Sequence, residues 1–157
     1  DTENDINSIQ LVGESVLPAA TTNIWFESRI RINTAQSDFL VGLSITNTSS
    51  PTTAPANGIY FFKDDGDLLI DPTVRGSSIS SVDLGTFTMV LDTWTKVGFK
   101  VLGTSRVEFW INNVLESTLT SNIPVTELRP TFSHASGDAA TASRLDIDYF
   151  SYGFTTV

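Results

Sequence analysis

The groups that could do chemistry in this chain are few and sit in two short stretches. Residues 25–31 read W-F-E-S-R-I-R, and residues 145–150 read L-D-I-D-Y-F. Glycoside hydrolysis needs two carboxylates flanking the scissile bond, about 5 to 9 Å apart. Glu27 and Asp148 are the acids to consider, with Asp146 beside them, but the stretch after Glu27 continues with Arg29 and Arg31. Two aspartates on one strand face are explained equally well by a solvated surface. Nucleophilic chemistry has less to draw on. His134 is the only histidine, there is no cysteine, and no serine sits in a G-x-S-x-G elbow. His134 therefore reads as a loop or strand-end residue. We assign no catalytic residue, and no Gly-rich loop before a helix offers a phosphate cradle.

Two other constellations point to binding. Asp64, Asp65 and Asp67 around Gly66 form the densest group of hard oxygen ligands and are the candidate Ca2+ ligands; a plain turn with Gly66 at positive φ explains the same residues. No other cofactor is implied. Trp25, Glu27 and Arg29 share one side of a strand, and Glu108 and Trp110 share one side of another. Such a face can stack sugars and bind their hydroxyls, can anchor a protein partner, or can be an outer surface covered by loops.

Bulk properties narrow the field. The chain has 157 residues, 40% of them hydrophobic, with ten Phe, three Trp and three Tyr, enough for one domain with a sizeable core. The net charge of -9 and the lack of a Lys/Arg cluster argue against nucleic acid and anionic membranes as partners. No apolar run approaches the roughly 20 residues of a membrane-spanning helix. The first eight residues, D-T-E-N-D-I-N-S, have neither the basic nor the apolar region of a signal peptide.

The elements that must position these groups read as strands. In residues 23–33, Ile24, Phe26, Ser28, Ile30 and Ile32 point one way, and Trp25, Glu27, Arg29 and Arg31 the other. Residues 94–120 read as two or three antiparallel strands, with Val97, Phe99, Val101 and Val107, Phe109, Ile111 alternating and Asn112-Asn113 as a hairpin turn. Further strands are expected at 7–13, at 38–46 with Phe39, Val41, Leu43 and Ile45 on one face, and at 58–63 and 68–71 joined by the Asp64–Asp67 turn. A Ser-rich edge strand is expected at 74–82, another strand at 86–91, and one at 128–135 interrupted by Pro130. In the last, 143–152, Leu145, Ile147 and Tyr149 are expected to oppose Asp146, Asp148 and Phe150. Residues 48–57 are a loop, and residues 134–142 after it form a second loop of small residues. The one segment free for a helix, 120–128, is too short and contains Pro124. Eleven or twelve short strands at this spacing predict an all-β, two-sheet antiparallel sandwich, with residues 1–20 as an N-terminal arm or first strand and 21–157 as a single domain.

Taken in order, W-F-E at 25–27, G-I-Y-F-F-K-D-D-G-D at 58–67, W-T-K-V-G-F at 94–99, V-E-F-W-I-N-N at 107–113 and L-D-I-D-Y-F at 145–150 resemble the concanavalin A-like (lectin/glucanase, laminin-G-like) jelly roll. The resemblance spans about residues 20–152. More narrowly, the chain is similar to small tailed-phage virion proteins of the capsid decoration or cement type. Where glucanases of this fold carry Glu-x-Asp-x-Glu, this chain carries arginines, so the resemblance implies a non-enzymatic structural protein on the virion capsid surface. Its implied partners are the major capsid protein and itself, as a homotrimer. The alternatives are a carbohydrate-binding module or receptor-binding tip using the Trp25 or Trp110 face, and, third, a glycanase. Under the capsid reading the contact is expected from the arm, through Ile9, Leu11, Val12, Val16 and Leu17, as a strand added to the partner and separable from the fold.

Overall fold

The computed structural model describes residues 5–13, 15–46, 50–138 and 142–156. The polar start of the arm, the first part of the 48–57 loop and the middle of the small-residue loop after His134 lie outside the described residues. The described elements are all strands: β1 (Ile6–Gln10), β2 (Thr22–Ile32), β3 (Ser37–Ser44), β4 (Gly58–Lys63), β5 (Leu69–Gly76), β6 (Ile79–Val82), β7 (Phe87–Thr88), β8 (Thr95–Leu102), β9 (Arg106–Ile111), β10 (Val114–Leu119), β11 (Arg129–Ser136) and β12 (Leu145–Thr156). They form two antiparallel sheets. One runs β1-β11-β3-β4-β5-β6, with β7 also on β5; the other runs β10-β9-β8-β2-β12.

The alternation in β2, β8 and β9 places Ile24, Phe26, Ile30, Val97, Phe99, Val101, Val107, Phe109 and Ile111 between the sheets, all buried. Phe39, Val41, Leu43, Ile59, Phe61 and Phe132 meet them from the larger sheet. Phe26 stacks on Phe99 at 5.2 Å, and Phe61 meets Phe109 edge-on at 5.3 Å. Fully burying each such ring contributes about 1.5–3 kcal/mol.

Several expectations need correction. The 74–82 stretch is not one edge strand. It is the end of β5, a turn at Ser77-Ser78 with φ of 51° and 67°, and then β6. That left-handed turn is held from outside: Ser77 N donates to Asn57 Oδ1 at 2.9 Å, and Ser78 N to the Ala56 carbonyl at 2.8 Å. Strand β5 also runs on through Pro72, which pairs with Phe61. The Pro72 carbonyl accepts from Asp83 N, so its ring nitrogen faces the gap between the short strands β6 and β7, where no donor is required. Pro130 does not interrupt β11. Its carbonyl accepts from Leu11 N just past the end of β1, so its nitrogen lies off the β3 ladder. Of the strand expected at 86–91, only Phe87 and Thr88 pair.

Strand β3 is buried on both faces, not one. Leu40 faces away from the inter-sheet core yet is fully buried, because the loop around Ser50, Pro51 and Pro55 folds across that side of the sheet. The Ser133 hydroxyl fastens the loop by donating to the Ser50 carbonyl. In β12, a bulge between Ile147 and Tyr149 reverses the expected faces. Leu145 and Ile147 do face inward. After the bulge Phe150 turns inward to pack on Phe132 at 5.0 Å, and Tyr149 turns outward.

Residues 6–10 belong to the sandwich rather than to a free arm. Strand β1 pairs with β11 along its whole length, and Val16, itself buried, exchanges two 2.9 Å main-chain hydrogen bonds with Leu128. Removing this segment would strip an edge strand from the larger sheet and leave β11 as the new edge.

Candidate binding faces of the sandwich

The five-stranded sheet turns a polar, Trp-bearing surface outward. Its registers place Trp110, Gly98, Glu27 and Ser151 in one row across β9, β8, β2 and β12. Glu108, Lys100, Trp25 and Gly153 make the next row, and Lys96, Arg29 and Tyr149 lie on the other side of the first. The predicted residues Trp25, Glu27, Arg29, Glu108 and Trp110 therefore do share one face. Trp25 is 44% exposed and Trp110 38%. The Trp25 indole lies on the backbone of Gly153, where a Cβ would stand 2.8 Å from the ring. Glu27, Lys96, Gly98, Trp110 and Asn113 line a shallow slot of about 300 Å3.

Most of the charges on this face are paired with one another. Glu27 binds Lys96 Nζ and the Tyr149 hydroxyl, each at 2.8 Å. Desolvation pushes the Glu27 carboxyl up, but the hydrogen bonds from Lys96 and Tyr149 outweigh it and hold the group below its ordinary value. Asp148 pairs with Arg29 at 3.0 Å, and Asp146 with Arg31 at 2.8 Å and Arg144 at 3.1 Å. For Asp146, too, two arginine hydrogen bonds overcome desolvation and lower the carboxyl. Arg29 and Arg31 both lie over the Trp94 ring, at 5.3 and 4.7 Å. Glu108 is paired with Arg106 at 2.9 Å. Lys96 and Tyr149 thus hold Glu27, and Arg31 and Arg144 hold Asp146, as hydrogen-bonded, ion-paired carboxylates.

The Asp64–Asp67 turn does not gather its carboxylates. Among the described residues, no three Asp, Glu or His side chains converge to hold a metal ion. Asp67 Oδ1 accepts from Leu69 N at 2.8 Å, an ordinary turn contact, and Gly66 has φ of 82°. His134 points toward the open side of the sandwich, with Ser143 Oγ 3.2 Å from its Nε2. Burial lowers the His134 ring, assisted by the nearby charge of Lys63. Ser143 lies in the extended connection before β12, not in a nucleophile elbow. Of the arm residues, Ile9, Val12 and Leu17 are exposed, Leu11 is half-buried and Val16 is in the core.

A second groove lies on the opposite surface, and the strand pattern did not disclose it. Tyr60 and Phe62 face outward from β4, Asp71 and Thr73 from β5, and Ser80 and Val82 from β6; the registers set Phe62 beside Asp71, Tyr60 beside Thr73, and Thr73 in turn beside Val82. With Asp64, Ala54 from the covering loop and Leu84 from the turn beyond β6, they line a groove of about 240 Å3. Tyr60 packs over Gly58, where a Cβ would meet its ring at 2.8 Å. Asp71 Oδ1 accepts from Gly85 N at 2.5 Å, which fixes the carboxylate. Burial raises the Asp64 carboxyl, and Asp71, Asp67 and Asp65 raise it further. An aromatic and aliphatic floor with a few fixed carboxylate and hydroxyl groups at its rim is the usual chemistry of a small-ligand site. The alternation in β4 could not reveal it, because Ile59 and Phe61 on the inner face and Tyr60 and Phe62 on the outer face are all apolar.

These two sheets, their strand orders and the absence of helix among the described residues define the concanavalin A-like jelly roll, the architecture of many lectins, glycoside hydrolases and carbohydrate-binding modules. No family model and no curated protein matches the chain. Among solved structures it is similar to the Crh5 transglycosylase in complex with NAG (TM-score 0.69, 10% identity, 95% of this chain and 68% of that one). It is also similar to the potassium-bound carbohydrate recognition domain of Emp46p (0.67, 12%, 96% and 79%) and to the carbohydrate-binding module CBM66 from Bacillus subtilis (0.64, 12%, 97% and 83%). At these identities the likeness defines the fold alone.

Proposed function

We propose that this chain is a non-catalytic carbohydrate-binding domain, and that its glycan lies in the groove over Tyr60 and Phe62. The observation that carries the reading is the groove itself. The half-buried Phe62 ring suits the apolar face of a pyranose, and the accessible Asp71 and Ser80 stand where ring hydroxyls would project, with Tyr60 and Thr73 buried beside them. Several similar structures bear names that refer to carbohydrate, which supports the same class of ligand. The test is titration of the full chain with a panel of oligosaccharides, read by calorimetry. Phe62→Ala and Asp71→Asn are expected to weaken any binding at least tenfold, while Trp110→Ala leaves it unchanged. Binding that survives both groove variants and disappears with Trp110→Ala would move the site to the other face, and a panel without a hit would sink the reading.

A second reading, the decoration of a bacteriophage capsid, is favoured by a different feature. Where the edges of β1 and β12 leave the two sheets unjoined, Ile9 (63% exposed), Leu17, Phe150 and Phe154 (58%) present apolar surface. Exposed apolar side chains beside two free strand edges suit a protein partner, here the major capsid protein or further copies of this chain. Ile9→Glu combined with Phe154→Glu is expected to abolish co-purification with phage particles. Recovery of the wild-type protein only in the lysate supernatant rules this reading out.

A further inference from the structure

Strand β4 carries a lysine where its alternation calls for an apolar residue. Ile59 and Phe61 face the core, and Lys63, next in that series, is fully buried. A buried ammonium without partners would be strongly destabilising. Here Nζ donates to the Ser37 carbonyl at 2.6 Å, the Ala35 carbonyl at 2.7 Å and the Asp64 carbonyl at 2.8 Å, which uses its three N–H bonds. Burial pushes the ammonium down, while Asp67, Asp38, Asp65 and Asp64 pull it up. The same loops are also joined directly, by Gly66 N donating to the Ala35 carbonyl at 3.1 Å. Three neutral main-chain oxygens in a field of carboxylates are the hard donors that alkali and alkaline-earth ions take.

We infer that the carbonyls of Ala35, Ser37 and Asp64 form a cation site occupied by the chain's own Lys63. The ammonium acts as a tethered ion. It clamps the Asp64–Asp67 turn to the 35–37 segment and so fixes the end of the groove at which Asp64 stands. Only that last role rests on the carbohydrate reading; the site itself does not. The wild-type domain then has no use for an exchangeable metal here. Removing the side chain should leave an empty, negatively biased cage that accepts a small cation from solution.

The experiment is thermal unfolding of the full chain at constant ionic strength in tetramethylammonium, sodium, potassium and calcium chlorides, with and without chelator. Wild type is expected to unfold at one temperature in all of them. Lys63→Ala should unfold several degrees lower in tetramethylammonium and recover, saturably, with one of the metal ions. Lys63→Met, which fills the space with an uncharged chain, should stay low in every salt. A Lys63→Ala protein indifferent to the cation, or a wild type destabilised by chelator, overturns the inference. Should Lys63→Ala not fold, nitrogen-15 NMR of the wild type decides: a slowly exchanging Lys63 ammonium resonance, unmoved by potassium, is expected, and a freely exchanging amine overturns the proposal. None of these readouts involves a sugar, so a failed glycan screen leaves the result standing.

Discussion

Tyr60 offers a quantitative test of how dry the groove floor is. The side chain is 2% exposed, and burial pushes its phenol up to about 12 from an ordinary 10, with Arg75 pulling slightly the other way. Each tenfold change in proton affinity is worth about 1.4 kcal/mol, so two decades amount to about 3 kcal/mol of pH-dependent stability. The folded state holds this proton more tightly than the unfolded chain does. The contribution is therefore complete below pH 10 and is lost as the pH rises through about 12. For a domain whose whole stability is about 5–15 kcal/mol, that loss is large. The perturbation is Tyr60→Phe, which keeps the ring over Gly58 and removes the titrating group. Two measurements check it. Tyrosinate absorbance of the wild type should show a late component that Tyr60→Phe lacks, and denaturant unfolding between pH 9 and 12 should lose about 2 kcal/mol more in the wild type than in the variant, the remainder going above pH 12. If the late component is absent, or both proteins lose stability equally, the Tyr60 hydroxyl is not buried as described and the reasoning fails.

Other consequences can be checked independently. Phe61→Ala removes a ring that touches both Phe99 and Phe109, and should cost about 3–5 kcal/mol in urea unfolding. Replacing Ser77-Ser78 by Asn-Gly relieves two left-handed residues and should stabilise the protein by about 1 kcal/mol, seen as a raised denaturation midpoint with an unchanged slope. Glu27 is held below its ordinary value, so its contribution is present above that value and is lost as pH falls through the lowered one. Lys96→Met removes one of the two partners and should move the acid unfolding transition to higher pH.

The sandwich was legible wherever one face of a strand is apolar and the other polar. Strand β2 and the β8–β9–β10 meander meet that condition, and Asn112-Asn113 adopts the expected turn with φ of 50° and 68°. The Trp25 and Trp110 face was legible for the same reason. What escaped was set by partners distant in sequence. Ser77-Ser78 carries no turn signal of its own and is held by residues 56 and 57. The β12 bulge depends on pairing with β2, more than a hundred residues earlier, and local alternation extended through it puts Tyr149 on the wrong side. The groove hides in β4 because period two carries no information when both faces are apolar. Nothing around Lys63 in the sequence signals its burial, and only the fold brings three carbonyls around it.

The order of strands in the smaller sheet also has a kinetic meaning. Strands β8, β9 and β10 pair with their chain neighbours and close over short turns, so they can form early and independently. Strands β3–β7 of the larger sheet separate β2 from β8 along the chain, and β12 must return across more than a hundred residues to reach β2. Pairing of β12 is therefore expected to come late, and it completes the Glu27–Tyr149 and Arg29–Asp148 contacts in the same step. Until then β2 is an open edge with Ile24, Phe26 and Ile30 uncovered at one side, a surface on which other chains can add. In this fold the window of greatest aggregation risk closes only when the last strand docks.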